Sequence, residues 1–275
     1  MSISSPPNPP AATRNSAKSL LSNNLNKVIA VNLKNKFIDL LFPKICAHCG
    51  ESFEKGISNI LCYPCFEAMD SYEDPLCGHC GISLPMGAFE DAVFLRCQDC
   101  GEVPYFLDQV RAFGPYGGGL RIAHHGFKFE GMESLKFEIA QKMVRPVISS
   151  FWNGVEALIP VPLSPERERE RGYNPAELLA IEVSALTGIP FQKIIQKIKS
   201  TVPQMTLSRE ERLQNPKGAY QAVNSFRPMK KVVLVDDVFT TGSTLEECAR
   251  VLKNAGIPWV GALVFGRTPR QYIHS

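Results

Sequence analysis

Four consecutive apolar residues, Val232-Val233-Leu234-Val235, interrupt an otherwise mixed stretch and predict a strand buried on both faces, as in a parallel sheet. After a short polar loop, Leu245, Cys248, Ala249 and Leu252 recur at helical spacing and Gly256 supplies a stop. A second apolar run, Ala157-Leu158-Ile159-Pro160-Val161-Pro162, predicts another strand. It is followed by Leu163-Ser164-Pro165, read as loop, and by the charged run Glu166 to Arg171, read as an exposed, basic continuation of that loop. Beyond Gly172 and Tyr173, Asn174 is placed to cap a helix with Pro175 at its first position; Leu178, Leu179 and Leu186 lie inside it and Gly188 ends it. Leu135, Ile139 and Met143 mark a further amphipathic helix, preceded by His124-His125-Gly126-Phe127-Lys128-Phe129. Strands alternating with helices predict an α/β domain.

At 275 residues the chain has room for one α/β core and a smaller module. No apolar run approaches the roughly 18 residues of a membrane span. The formal net charge of +3 hides three unlike segments. Residues 1–36 hold five basic and no acidic residues and are rich in Ser, Pro and Asn, the composition of a disordered tail. That tail has no secretory core; a cytoplasmic protein is the default and an organelle transit peptide the alternative. Residues 37–110 carry three Lys/Arg against twelve Asp/Glu, and residues 111–275 twenty-two against fifteen. A polyanion would therefore be drawn to the C-terminal part.

Eight of the nine cysteines form four C-x-x-C pairs, Cys46/Cys49, Cys62/Cys65, Cys77/Cys80 and Cys97/Cys100. This spacing lets a tight turn aim two thiolates at one tetrahedral ion, and two such knuckles complete a zinc site. A disulfide framework would need an oxidising compartment that no signal peptide supports. Gly50 and Gly81 follow two of the pairs, where a knuckle turn favours positive φ. Chain order assigns Cys46, Cys49, Cys62 and Cys65 to one zinc and Cys77, Cys80, Cys97 and Cys100 to another, while an interleaved pairing also satisfies the spacing. Either arrangement is structural, with no coordination position left for substrate. His48 and His79 are expected to be exposed knuckle residues, and Cys248 a buried residue of its helix.

The loop Asp236-Asp237-Val238-Phe239-Thr240-Thr241-Gly242-Ser243-Thr244 lies between strand and helix, so free N–H groups, the helix dipole and hydroxyls converge on an anion there. Two carboxylates beside a phosphate cradle need another partner, such as ribose hydroxyls or magnesium. The stretch resembles the phosphoribosyl-pyrophosphate motif of type I phosphoribosyltransferases and lacks the Lys of a Walker loop. By that resemblance Asp236 and Asp237 hold the ribose diol, and Thr240, Thr241, Gly242, Ser243 and Thr244 bind the 5-phosphate, with magnesium accompanying phosphoribosyl pyrophosphate. The family's pyrophosphate loop falls at Arg171, with Arg167 as a second candidate, and its mobile lid at residues 201–215, with Gln204, Arg209 and Arg212 as polar contacts. His124 and His125 have no nearby cysteine or carboxylate pair to complete a metal site, so a substrate-facing or surface role is expected.

Taken together, the C-x-x-C pairs, Ile159-Pro160-Val161-Pro162, Arg171-Gly172-Tyr173-Asn174, Pro203-Gln204, Arg212 with Asn215, and Asp236-Asp237 resemble the ComF family of competence-associated proteins. The resemblance implies a double zinc ribbon (37–110) on a type I phosphoribosyltransferase fold (111–275), a parallel sheet flanked by helices. It also implies a role with single-stranded DNA in natural transformation and a helicase as partner of the zinc module. Thr240 stands where several base-salvaging relatives carry an acidic general base, which leaves two readings: a binding protein for phosphoribosyl pyrophosphate or DNA, and an active transferase with an unknown acceptor.

Overall fold

The computed structural model describes residues 43–85, 96–100, 105–129, 131–145, 147, 149–199 and 216–268. The N-terminal tail and the expected lid, including Gln204, Arg209 and Arg212, lie outside them.

The ribbon begins with a two-stranded antiparallel sheet, β1 (Lys44–Ile45) and β2 (Ser52–Phe53), and the short helix α1 (Tyr63–Glu67). The larger domain follows as β3 (Gln109–Pro115), α2 (Gly118–Phe129), α3 (Lys136–Val144), α4 (Ser149–Trp152), β4 (Ala157–Pro160), α5 (Pro165–Arg171), α6 (Pro175–Thr187), β5 (Ile195–Lys197), β6 (Tyr220–Ala222), β7 (Lys231–Phe239), α7 (Ser243–Asn254) and β8 (Trp259–Arg267). Its main sheet is four-stranded and wholly parallel, in the order β3-β8-β7-β4. Alternate residues of the strands feed two cores. Val232, Leu234, Val260 and Val264 pack with Leu245, Cys248, Ala249 and Leu252 of α7. Val233, Val235, Leu263 and Phe265 pack with α2, α3 and α6 through Leu120, Phe127, Ile139 and Leu179. Cys248 is fully buried, as its place in the apolar stripe requires.

The structure adds one element and corrects another. The segment before the predicted α3 is itself a helix, α2, which carries both histidines; within it Gly119 and Gly126 admit neighbours that a Cβ would crowd. The charged run after β4, expected to be loop, is helical. No α5 residue is buried, so no apolar stripe announces it, and local terms hold it. Ser164 Oγ accepts the Arg167 N–H at 3.4 Å, Pro165 starts the first turn, Glu166 and Glu168 sit at the positive end, Arg169 and Arg171 at the negative end, and Gly172 closes it with φ +86°.

The ribbon is joined to the sheet along the outer edge of β3, which covers groups that an edge strand would otherwise expose. Tyr72 N–H donates to Phe113 O at 2.8 Å, and Val110 N–H to His79 O at 2.6 Å. Cys46, Leu61, Cys62, Phe66 and Met69 extend the second core, and Lys142, buried in α3, lies 4.9 Å from the Phe66 ring and 5.3 Å from the Phe113 ring while donating to Glu67 O. Gly114 makes the joint possible, because a Cβ there would stand 2.0 Å from Asp70 O. Gly114→Ala is therefore expected to destabilise the fold by about 3 kcal/mol, read from the urea midpoint of the purified protein.

Candidate functional site

The carboxyl ends of β4 and β7, with α2, the α5–α6 junction and the antiparallel β5–β6 pair, enclose a cleft of about 910 Å³. Asp236, Asp237, Thr240, Gly242 and Thr244 line it together with Arg167 and Arg171 of α5, so the candidates from two separate stretches of the chain face one space. Its walls carry Arg121, Lys128, Arg167, Arg171 and Lys197 against Glu170, Asp236 and Asp237, an excess of positive charge suited to a phosphorylated ligand.

The phosphate loop has the shape its sequence demands. Gly242 takes φ +80° as the N-cap of α7, and a Cβ there would meet the Phe239 ring at 2.2 Å. The hydroxyls of Thr241 and Ser243 lie 3.0 Å apart, beside the first turn of a twelve-residue helix. At the α5–α6 junction, Asn174 Oδ1 accepts the Ala176 N–H while its Nδ2 donates to Val161 O, fixing α6 to the end of β4. Tyr173 Oη donates to Phe127 O at 2.5 Å and ties this junction to α2. Arg171 lies with its guanidinium 5.1 Å from the Phe129 ring, its Nη1 buried and without a hydrogen-bond partner among the described residues.

The two aspartates are not equivalent. Asp237 is 6% exposed; its Oδ1 accepts the Val238 N–H at 2.8 Å, and its Oδ2 contacts Lys128 Nζ and lies 3.2 Å from His124 Nε2. Burial pushes its pKa up, but Lys128 and His124 outweigh this and hold it well below the usual carboxylate range. Asp236 is half-buried and accepts the Asp237 N–H through Oδ1. Burial and then the neighbouring Asp237 charge push it up to about 8. The pair thus carries one negative charge at neutral pH, compensated by Lys128. Motif spacing does not reveal Lys128, His124 or Tyr116, whose Oη lies 2.9 Å from His124 Nδ1. Lys128 and His124 reach the site from α2, and Tyr116 from the turn just before it, more than a hundred residues earlier in the chain than Asp237. Lys128→Met leaves Asp237 buried without its cation and is expected to cost about 3 kcal/mol in thermal or urea unfolding, largely recovered in Lys128→Met/Asp237→Asn.

In the ribbon, the four Sγ atoms of Cys46, Cys49, Cys62 and Cys65 lie within 4.8 Å of one another, and so do those of Cys77, Cys80, Cys97 and Cys100. Knuckles adjacent in the chain are brought together, without interleaving. Zinc–sulfur bonds of about 2.3 Å place tetrahedral sulfurs about 3.8 Å apart; Cys80 and Cys97 Sγ are at 3.6 Å and Cys49 and Cys62 Sγ at 4.0 Å, so the donor sets fit the ion. Backbone N–H groups of Cys80 and Cys97 point at Cys77 Sγ, as a thiolate requires. Gly50 and Gly81 take φ +78° and +72°. His48 is exposed, but His79 is buried, stacked 4.3 Å from Tyr105, with Nδ1 3.3 Å from Asp108 O, because the second knuckle faces the sheet rather than solvent.

Two family models match the chain, a double zinc ribbon domain over residues 37–101 and a phosphoribosyl transferase domain over residues 169–275. Competence protein F of Haemophilus influenzae is 34% identical over 220 residues, 77% of this chain and 92% of that protein. The chain belongs to the ComF family. Competence protein ComFC of Bacillus subtilis is 25% identical over 229 residues, 77% of this chain and 90% of that protein. DNA utilization protein YhgH of Escherichia coli K12 is 25% identical over 234 residues, 83% and 99% respectively. In this ComF chain the double zinc ribbon holds structural zinc, and the sheet is that of a phosphoribosyltransferase domain. Residues 102–168 lie between the two family matches, and they supply β3, α2 and β4, hence His124 and Lys128. Among the described residues no helix is long and apolar enough to cross a membrane.

Proposed function

We propose that the cleft binds a 5-phosphoribosyl ligand, phosphoribosyl pyrophosphate or its like, and that its basic rim engages single-stranded DNA during DNA uptake in natural transformation. The observation that carries this is the convergence of the β7–α7 loop, Asp236 and Arg171 on one positively charged cleft. The names of the relatives, competence proteins and DNA utilization proteins, support the cellular role. In this reading Asp236 meets the ribose hydroxyls, because both oxygens of Asp237 are engaged; Asp237 shapes the site and holds Lys128. Thr240 to Thr244 take the 5-phosphate, and Arg171 and Arg167 the pyrophosphate or a DNA phosphate, with Gln204 and Arg212 as contacts from the lid. Magnesium, bound with the ligand, would neutralise pyrophosphate charge, and Asp236 is the carboxylate placed to meet it. The acidic zinc ribbon serves as the seat for a DNA-translocating helicase, and the protein works in the cytoplasm.

Binding is favoured over transfer for a chemical reason. Thr240 cannot act as a base at neutral pH, and Asp237 is already paired. Calorimetric titration with phosphoribosyl pyrophosphate and magnesium, with pyrophosphate release followed in the same samples, tests both readings. Saturable binding without release is the expected result; release would make the protein a transferase, and absence of binding would remove the ligand from the proposal.

A further inference from the structure

Phe129, the last residue of α2, is 52% exposed although it lines the cleft. Leaving a phenyl ring half in water gives up apolar burial, so its surroundings bear on what it is for. Three polar groups ring it. The Arg171 guanidinium lies 5.1 Å from its centroid, Lys128 Nζ 6.0 Å, and the His125 ring 5.1 Å at a tilt of 44°. Together they leave about half of it in solvent, and the Arg171 Nη1 beside it is buried with no hydrogen-bond partner among the described residues. A half-exposed aromatic side chain beside a part-exposed guanidinium is what a nucleotide of single-stranded DNA needs: a surface for the base and a cation for the phosphate.

We infer that Phe129 is a base-stacking ledge at the mouth of the cleft, on which one nucleobase of single-stranded DNA rests while an adjoining phosphate reaches Arg171. The inference rests on the DNA-binding reading above and adds to it the residue that distinguishes a nucleotide chain from a bare polyanion. Stacking of this kind tolerates any base, because every base has a π-face, and suits a protein that handles DNA irrespective of sequence. The ring also stands beside the phosphoribosyl cleft, so occupants of the ledge and of the phosphate loop are neighbours.

The test pairs a change in the protein with a change in the DNA. Fluorescence anisotropy is measured for the full-length zinc-loaded protein with an oligothymidylate of about a dozen residues and with an abasic strand of equal length and charge. The wild type is expected to prefer the thymidylate by about tenfold, Phe129→Ala to lose that preference while still binding the abasic strand, and Phe129→Trp to restore it. Unchanged zinc content and melting temperature confirm that each variant is folded. Equal weakening of both strands by Phe129→Ala, or no preference in the wild type, would overturn the ledge while leaving DNA binding intact. Failure of the wild type to bind either strand would overturn the DNA-binding reading itself.

Discussion

Cys77→Ser is expected to halve the zinc content, from two ions per chain to one, and to weaken phosphoribosyl-ligand binding although Cys77 does not line the cleft. Cys77 is fully buried and its sulfur receives two backbone N–H groups, so an oxygen loses both the metal bond and these contacts. A structural zinc site supplies about 10 kcal/mol or more to the folding of its module. The second consequence follows from the buried arginines. A zinc ion held by four thiolates carries two net negative charges, and beside it Arg111 Nη1 lies 3.5 Å from Cys77 O while Arg267 Nη1 donates to Cys80 O at 2.7 Å. Arg267 also lies 4.9 Å from the Phe239 ring, and that ring fills the space beneath Gly242 of the phosphate loop. Loss of the second ion leaves Arg267 buried without its counter-charge, and the loop loses its backing. Hydrogen exchange should therefore rise at residues 239–245 along with residues 77–84, and affinity for ribose 5-phosphate should fall about tenfold. Cys46→Ser, in the site packed on α2 and α3, should lose zinc equally and leave residues 239–245 protected. Equal protection in both variants would show that the path through Arg267 carries nothing.

What the sequence discloses about this site is set by how local each requirement is. A zinc knuckle needs two sulfurs three residues apart, and a phosphate cradle needs small, hydroxylated residues at one helix start; both demands are met within a few residues and are visible as spacing. The run Val232–Val235 is legible because a strand buried on both faces tolerates nothing polar. Strand β3 is not, because it carries Arg111 among its apolar residues, and that arginine is buried where a zinc site lies against it. The same holds for Lys128: its partner is Asp237, on a strand that closes over α2 only in three dimensions. Charge pairing at such sequence separation leaves no periodic signature. Helix α5 is hidden for the opposite reason, since it is held by caps and charge order and has no buried apolar stripe.

The opposed environments of the aspartates lead to opposed predictions for their amides. Asp236 holds a proton up to about pH 8 in the folded protein, whereas in the unfolded chain it titrates near its ordinary value of 3.8. Between those values the folded state binds more protons, so this residue makes stability fall as pH rises from about 4 to about 8. Asp236→Asn imitates the protonated acid at every pH. It should match the wild type near pH 4 and exceed its melting temperature at pH 8 by several degrees. Asp237 has the reverse sign: its pKa is held low, its stabilisation is present above the ordinary carboxylate range and is lost as pH falls below it, and Asp237→Asn should lower the melting temperature at neutral pH. Above about pH 8, where Asp236 is ionised, affinity for the ligand should fall in the stabilised variant, because an amide has one acceptor oxygen where a carboxylate offers two to the ribose hydroxyls; a loss of about tenfold to a hundredfold is expected there for charge-assisted bonds. A more stable protein that no longer binds is the signature of a carboxylate kept in a costly place for its ligand. If Asp236→Asn bound ribose 5-phosphate as tightly as the wild type, Asp236 would have no part in recognition. If it kept the wild-type pH dependence of melting, the shared proton would reside on Asp237, and the assignment of roles within the pair would reverse.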